Sequence, residues 1–353
     1  SEPVFPAGLH KRRFQVRIIA VSFRTIILIT IGLVVASHSI GIAQTPSPER
    51  LLVLLRDASA LAVVDPTSGA VLSRVSTGRD PHEVTASSDG RYAFVASMVD
   101  GISVIDLSTQ QELYRVNPGS GSLTHDLLYA DGKVYFTIEG YKSIGRYDPV
   151  SNQIEWTLGI GQDGTHLLVL DPDSNTMFMS NTRSNSVTVA ENIMSGPSAT
   201  TLTVIPIPGE LPEGIDLSSD GRELWTATRN DGNVSIIDVA SRSVVQTLTL
   251  GMKDANRLKF TPDGKVLILD GEAAVLVVVD AVSRTEITRI SLGTMDTGDG
   301  AVLVAPDGNR AYLGLRALDR VTIVDLNTHE VTGEILLNSG DGPGCLFWVQ
   351  AHD

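Results

Sequence analysis

Three histidines, His82, His125 and His166, recur at spacings of 43 and 41 residues, each at the head of an apolar run: PHEV, THDL and THLL. The same period continues through Glu213 (PEGI), Asn256-Arg257 (ANRL), Asp299 (GDGAV) and Gly344 (GPGCL), at spacings of 47, 43, 43 and 45. Imidazoles and a carboxylate brought to one point can hold a borderline divalent metal (zinc, copper, manganese or iron) and leave a position for water or substrate. Such an ion lowers the pKa of bound water or polarises a carbonyl. Without a metal, a histidine can act as general base near neutral pH. Glu213 then serves as proton acceptor, and Arg257 as a fixed cation for an oxyanion or a substrate carboxylate. His82, His125 and His166 are therefore candidate metal ligands, Glu213 and Arg257 candidate catalytic groups, and Asn256 and Asp299 candidate ligand-binding groups. The bland alternative is a set of polar residues solvated in an open funnel.

Convergence depends on the elements that carry these residues. A short apolar strand ending in an acid recurs as AVVD (Asp65), SVID (Asp106), GRYD (Asp148), TVAE (Glu191), SIID (Asp238), VVVD (Asp280) and TIVD (Asp325). A turn recurs beside it: SDG at Asp89 and Asp220, ADG at Asp131, PDSN at Asp173, and PDG at Asp263 and Asp307. Asp-Gly between alternating apolar residues is a strong hairpin signal. Each unit reads as four strands, a to d; in the first these are Glu83–Ser87, Tyr92–Ser97, Ile102–Asp106 and Glu112–Val116. Four strands per 40–45 residues is the signature of a propeller blade. Seven strand markers stand against six turns. GCLFWVQ near the C-terminus reads as a strand a, and RLLVLL, LAVVD and AVLSRVS near the N-terminus read as b, c and d. The expected fold is an all-β, seven-bladed β-propeller with four antiparallel strands per blade, closed by N- and C-terminal strands sharing one blade. The unit holding Ser195–Thr201 is the longest, which predicts a surface loop there.

Strand a is the innermost strand of a blade, so the candidate residues would meet at one axial mouth. Period-2 alternation predicts that Glu83 and Asp126, directly after their histidines, point away from the mouth, where they could orient an imidazole on a neighbouring blade. The b–c loops MVDG, RNDG and RALD are expected away from the axis. The acids closing each strand c recur in nearly every unit, so they read as turn caps. Cys345 reads as an inert core thiol, and Trp156, Trp225 and Trp348 as packing.

The units resemble YVTN-type β-propeller repeats, with P-x-x-V-x-x-S-x-D-G-R followed by S-V-I-D. PHEVTASSDGRYAFVASMVDGISVID and PEGIDLSSDGRELWTATRNDGNVSIID follow this pattern. The resemblance covers residues 50–350 and implies a lactonase-like, WD-like superfold of secreted bacterial proteins. GTHLLVLDP also resembles the histidine segment of lactonase-type propellers, without an arginine before His166. The tryptophan–aspartate signature of WD repeats is absent.

Composition bounds the rest. With 27 basic and 41 acidic residues the chain is acidic, which argues against nucleic acid or anionic lipid as main partner. One cysteine excludes an internal disulfide. Basic residues over 10–24, an apolar stretch Thr25–Ala36, and small residues Gly41 and Ala43 have the order of a secretory leader cut after Ala43. Residues 1–43 are thus expected to be a signal peptide and 44–353 a single domain, periplasmic or extracellular. A membrane link would arise only through an uncleaved leader. No G-x-S-x-G elbow, phosphate-binding glycine loop or C-x-x-C-H haem attachment is present. The sequence therefore predicts a small-molecule or metal site at the axial mouth, with metal-assisted hydrolysis or lyase chemistry as one outcome. A non-catalytic protein- or polysaccharide-binding scaffold is the alternative. The expected state is a monomer.

Overall fold

Strands b and c of each unit are apolar at almost every position, as Tyr92–Ser97 and Gly101–Asp106 illustrate, both buried along nearly their whole length. Such strands need cover on both faces. The computed structural model, which describes residues 49–293 and 300–350, supplies it by standing the sheets side by side around an axis. The leader-like segment and Asp299 lie outside the described residues. Seven four-stranded antiparallel sheets form seven blades. Blade 2 runs from Pro81 to Val116, blade 3 from Thr124 to Gly159, blade 4 from Thr165 to Pro206, blade 5 from Pro212 to Thr249, blade 6 from Ala255 to Ser291 and blade 7 from Gly300 to Leu336. Blade 1 combines the C-terminal strand Pro343–Val349, as its innermost, with Arg50–Leu55, Ala60–Val64 and Val71–Ser76. Arg50 pairs with Val349 and Leu52 with Phe347, so the two chain ends close the ring as expected.

Alternation decides which gap each side chain fills. Val266 and Ile268 pack toward blade 5, whereas Leu267 and Leu269 on the same strand pack toward blade 7. The result, among the described residues, is an apolar cluster in each gap between neighbouring blades. Trp225 is fully buried in the gap between blades 5 and 6, and Trp156 and Trp348 pack against clusters elsewhere. Outer strands such as Gln111–Val116 are mostly exposed. The recurrent acids cap turns: Asp106 Oδ1 accepts from Ser108 N at 2.9 Å and Thr109 N at 3.0 Å, and Asp325 Oδ1 from Asn327 N at 2.8 Å and Thr328 N at 2.9 Å. In the a–b turns, Asp89 accepts from the Ser87 hydroxyl and from Arg91 N, and Gly90 takes the positive φ of 65° that the turn requires. The Ser195–Thr201 segment joins strands c and d of blade 4 at the surface. Among the described residues no helix is long and apolar enough to cross a membrane.

Candidate functional site

The heads of the inner strands are irregular in a shared way. In blade 2, Pro81 pairs with Ser97 but Glu83 with Ala96, so His82 is an extra residue on the inner strand. Blade 3 shows the same between Thr124 and Leu127, blade 4 between Thr165 and Leu168, blade 5 between Pro212 and Ile215, blade 6 between Ala255 and Arg257, and blade 1 between Pro343 and Leu346. Each is a β-bulge at the site position, and a bulge turns an extra side chain off the sheet's ordinary pleat. Strand b neighbours occupy the backbone groups freed in two blades. Thr137 Oγ1 accepts from Asp126 N at 2.8 Å and donates to the His166 carbonyl at 3.1 Å. Ser180 Oγ accepts from Leu167 N at 3.2 Å and donates to the Glu213 carbonyl at 3.0 Å. Each hydroxyl thus fixes a bulge to the site residue of the next blade.

The three histidines do meet. Ring centroids of His82 and His125 lie 4.6 Å apart, and those of His125 and His166 3.6 Å apart. Their surroundings differ. His82 Nε2 is 2.7 Å from an Arg56 guanidinium nitrogen, and Nδ1 is 3.0 Å from the Asp80 carbonyl. Because arginine only donates, Nε2 accepts and Nδ1–H donates, which fixes a neutral tautomer. Burial and the Arg56 charge lower the pKa of His82. His125 is 3% exposed, and its Nδ1 has no hydrogen-bond partner among the described residues. Burial, then the neighbouring His166 and His82, push its pKa well down. His166 is the opposite case. Its Nδ1 lies 2.6 Å from Glu139 Oε1 and its Nε2 3.6 Å from Glu213 Oε1. Burial opposes the charged ring, but Glu213 and Glu139 outweigh it and push the pKa up to about 9.

Glu213 is buried and fully engaged. Arg257 donates to one oxygen, and Arg229 to the other at 3.0 Å. Burial would raise its pKa, yet His166 and the two arginines hold it well below the usual carboxylate range. It is a clamped anion rather than a ready proton acceptor. Arg257 also reaches Glu83 at 3.4 Å, so its charge is committed to carboxylates of the protein. Asn256 is fully buried and donates to Asp254 at 3.3 Å; it supports a wall residue instead of facing the mouth.

The mouth is a cavity of about 720 Å³. Its walls correct one expectation: the b–c connections line it, through Met98, Glu139, Arg183, Arg229 and Glu272. Strand b ends where strand a begins, so the loop that follows it must stand over the same mouth. Glu139 and Arg229 were missed for that reason. The residue just after each strand b (Met98, Glu139, Thr182, Arg229) forms a second repeating position, and aligning it would have found them. A second expectation also changes. Glu83 and Asp126 do not orient imidazoles; they line a lower cavity of about 290 Å³ with Arg257, Lys259 and Cys345. Asp126 accepts from Leu127 N and Leu168 N, each at 2.7 Å, and burial beside Glu83 pushes its pKa up to about 7. Burial raises the Cys345 thiol well above its ordinary value, which keeps it protonated.

A family model described as cytochrome D1 heme domain matches residues 47–149. The uncharacterized protein YncE of Salmonella typhi is 28% identical over 170 residues, 46% of this chain and 46% of that protein, so the match spans about half the length of that relative. A functionally unknown protein from Desulfotomaculum acetoxidans superimposes with a TM-score of 0.70 at 13% identity, over 86% of this chain and 99% of the other. A streptogramin B lyase superimposes with a TM-score of 0.64 at 14% identity, over 75% and 86%. The heme named in that description is said of that family; the mouth here is lined by His82, His125 and His166 with four carboxylates, Met98 and Leu211. What the chain shares with these solved structures is the fold, here a propeller of seven blades.

Proposed function

We propose that the chain is a periplasmic or extracellular propeller of the YVTN type that takes a small polar molecule into its axial mouth, with hydrolysis or lyase-type elimination as the reaction class. The observation that carries this reading is His125. It is a buried imidazole with an unpartnered Nδ1, set between two other histidines beside a cavity of about 720 Å³ that is lined mainly by charged and polar groups. Concave sites with a few converging polar groups are where small ligands bind. The leader-like order of residues 1–43 supports the location. The scaffold alternative would call for a contiguous apolar docking face. Among the described residues, the most exposed large apolar side chains, Val150, Val282 and Leu336, sit on three different blades.

The test is thermal unfolding of the purified protein against a library of small esters, lactones and hydroxy acids, beside His125→Ala. A ligand at about 100 times its Kd stabilises by about 2.7 kcal/mol, a rise of several degrees in Tm. Such a rise in the parent protein, lost in the variant, is the expected result. Equal shifts in both proteins, or none across the library, would overturn the reading.

A further inference from the structure

We propose that His125, Glu139 and His166 form a binding site for one borderline divalent metal ion of the zinc class. The proposal deepens the axial-mouth reading by naming its cofactor, and it is tested separately from it. One donor atom from each of the three residues lies within 4.8 Å of the other two. Two imidazoles and a carboxylate suit zinc, cobalt, nickel, copper, iron or manganese, and they do not suit calcium or magnesium, which prefer all-oxygen cages.

An independent observation points at a ligand. His125 is almost wholly buried, and its Nδ1 finds no hydrogen-bond partner among the described residues. A buried polar nitrogen without a partner is uncommon and calls for a reason. A metal ion is one partner that an unprotonated imidazole nitrogen accepts.

The outer contacts are those of a supported site. His166 presents Nδ1 to Glu139, while its other nitrogen faces Glu213, whose orientation is fixed by Arg229 and Arg257. A carboxylate behind a ligating histidine orients the ring and raises its basicity. The second oxygen of Glu139 accepts from Arg183 at 3.2 Å, and Arg183 in turn bonds Asp163 at 3.0 Å. His82 stays outside the set, because a cation, the Arg56 guanidinium, occupies its Nε2 at 2.7 Å and the Asp80 carbonyl its Nδ1. The donor triplet is thus two histidines of inner strands and a glutamate from a b–c connection. Three protein ligands beside an open cavity leave a coordination position for water or substrate, the pattern of catalytic rather than structural zinc.

The experiment uses chelator-stripped protein titrated with Zn²⁺ by calorimetry, and with Co²⁺ by visible absorption. The expected result is about one ion per chain, with a cobalt spectrum of mixed nitrogen and oxygen ligation. Affinity should fall more than about 100-fold in His125→Ala and in Glu139→Gln, beyond the range typical of outer-contact mutations, and change little in His82→Ala. Circular dichroism checks the fold, and the near-isosteric Glu139→Gln carries the test should His125→Ala not fold. Absence of binding, unchanged affinity in Glu139→Gln, or loss in His82→Ala alone would overturn the site. Repeating the small-molecule screen in chelator separates the two proposals. Ligand shifts in chelator together with no Zn²⁺ binding in the titration keep the mouth as a binding site and overturn the metal; zinc binding with no ligand found at all does the reverse.

Discussion

His166 holds its proton because two glutamates face it from opposite sides. In metal-free protein this proton contributes to stability. The ring's folded pKa, about 9, lies above its ordinary value of 6.5. The folded state therefore binds the proton more tightly than the unfolded state does. The stabilisation is complete below about pH 6.5 and is lost as pH rises through about 9. At 1.36 kcal/mol per pKa unit its size is on the order of 3 kcal/mol. Glu139→Gln removes the closer carboxylate, at 2.6 Å, and leaves Glu213. The His166 pKa, followed by NMR in chelator, should drop by about one unit or more, and urea midpoints should decline less between pH 6.5 and 9. A titration in Glu139→Gln that superimposes on the parent's would show that Glu139 does not hold the proton.

The bulge is the element that turns seven similar hairpins into a site. Thr137 lies at the centre of one bulge, bridging Asp126 N and the His166 carbonyl across two blades. Thr137→Val keeps the shape and removes both hydrogen bonds, leaving a buried N–H and a buried C=O to find other partners. Each unsatisfied group costs about 1–3 kcal/mol, so a loss of about 2 kcal/mol or more is expected. It would appear as a lower urea midpoint with an unchanged slope. Ser180→Ala should behave alike in blade 4, and a midpoint within error of the parent for both would mean that the bulges are held by their strands alone. This element also marks where sequence reading stopped. Strands and turns were legible because Asp-Gly turns and terminal acids repeat, and strand b of blade 2 falls at Tyr92–Ser97 as read. One extra residue is invisible in a six-residue alternation, yet it reverses the facing of everything beside it. Hence His82, His125 and His166 were found by period, while Glu83 and Asp126 were placed off the axis that they in fact line one level down. Glu139 was missed because it follows strand b, outside the repeat position that was aligned.

A ring of blades has no end cap, so its weakest point is where the chain closes on itself. Here closure combines strand pairing with ion pairs that span most of the sequence, Arg316 with Asp57 and, more deeply buried, Arg74 with Asp341. Arg74, on the outer strand of blade 1, donates to both carboxylate oxygens of Asp341, at 2.6 and 2.7 Å, just before the C-terminal strand begins. The side chain of Asp341 is 5% exposed and that of Arg74 31%. Asp341 also accepts from Asn338 N, so the pair holds the loop that delivers Pro343–Val349 to the axis. The comparison pair is Arg79 with Asp100, likewise bonded through both oxygens, but its arginine is 72% exposed. Geometry is similar and burial is not. Exposed pairs contribute about 0–1 kcal/mol, because water already solvates both charges. Removing one member of a buried pair costs about 3–5 kcal/mol, because the other charge is left without a partner. Arg74 is partly exposed, so the lower end of that range applies. Arg74→Met, which retains the apolar stem, should therefore destabilise by about 3 kcal/mol, and Arg79→Met by less than about 1 kcal/mol. If the ring unfolds as one unit, the loss in Arg74→Met shifts a single transition seen alike by tryptophan fluorescence and circular dichroism. If blade 1 opens first, a fluorescence change assigned to Trp348 by a Trp348→Phe variant would precede the loss of β-structure. Equal losses at Arg74 and Arg79 would mean that strand pairing between the chain ends closes the ring without help from the buried pair.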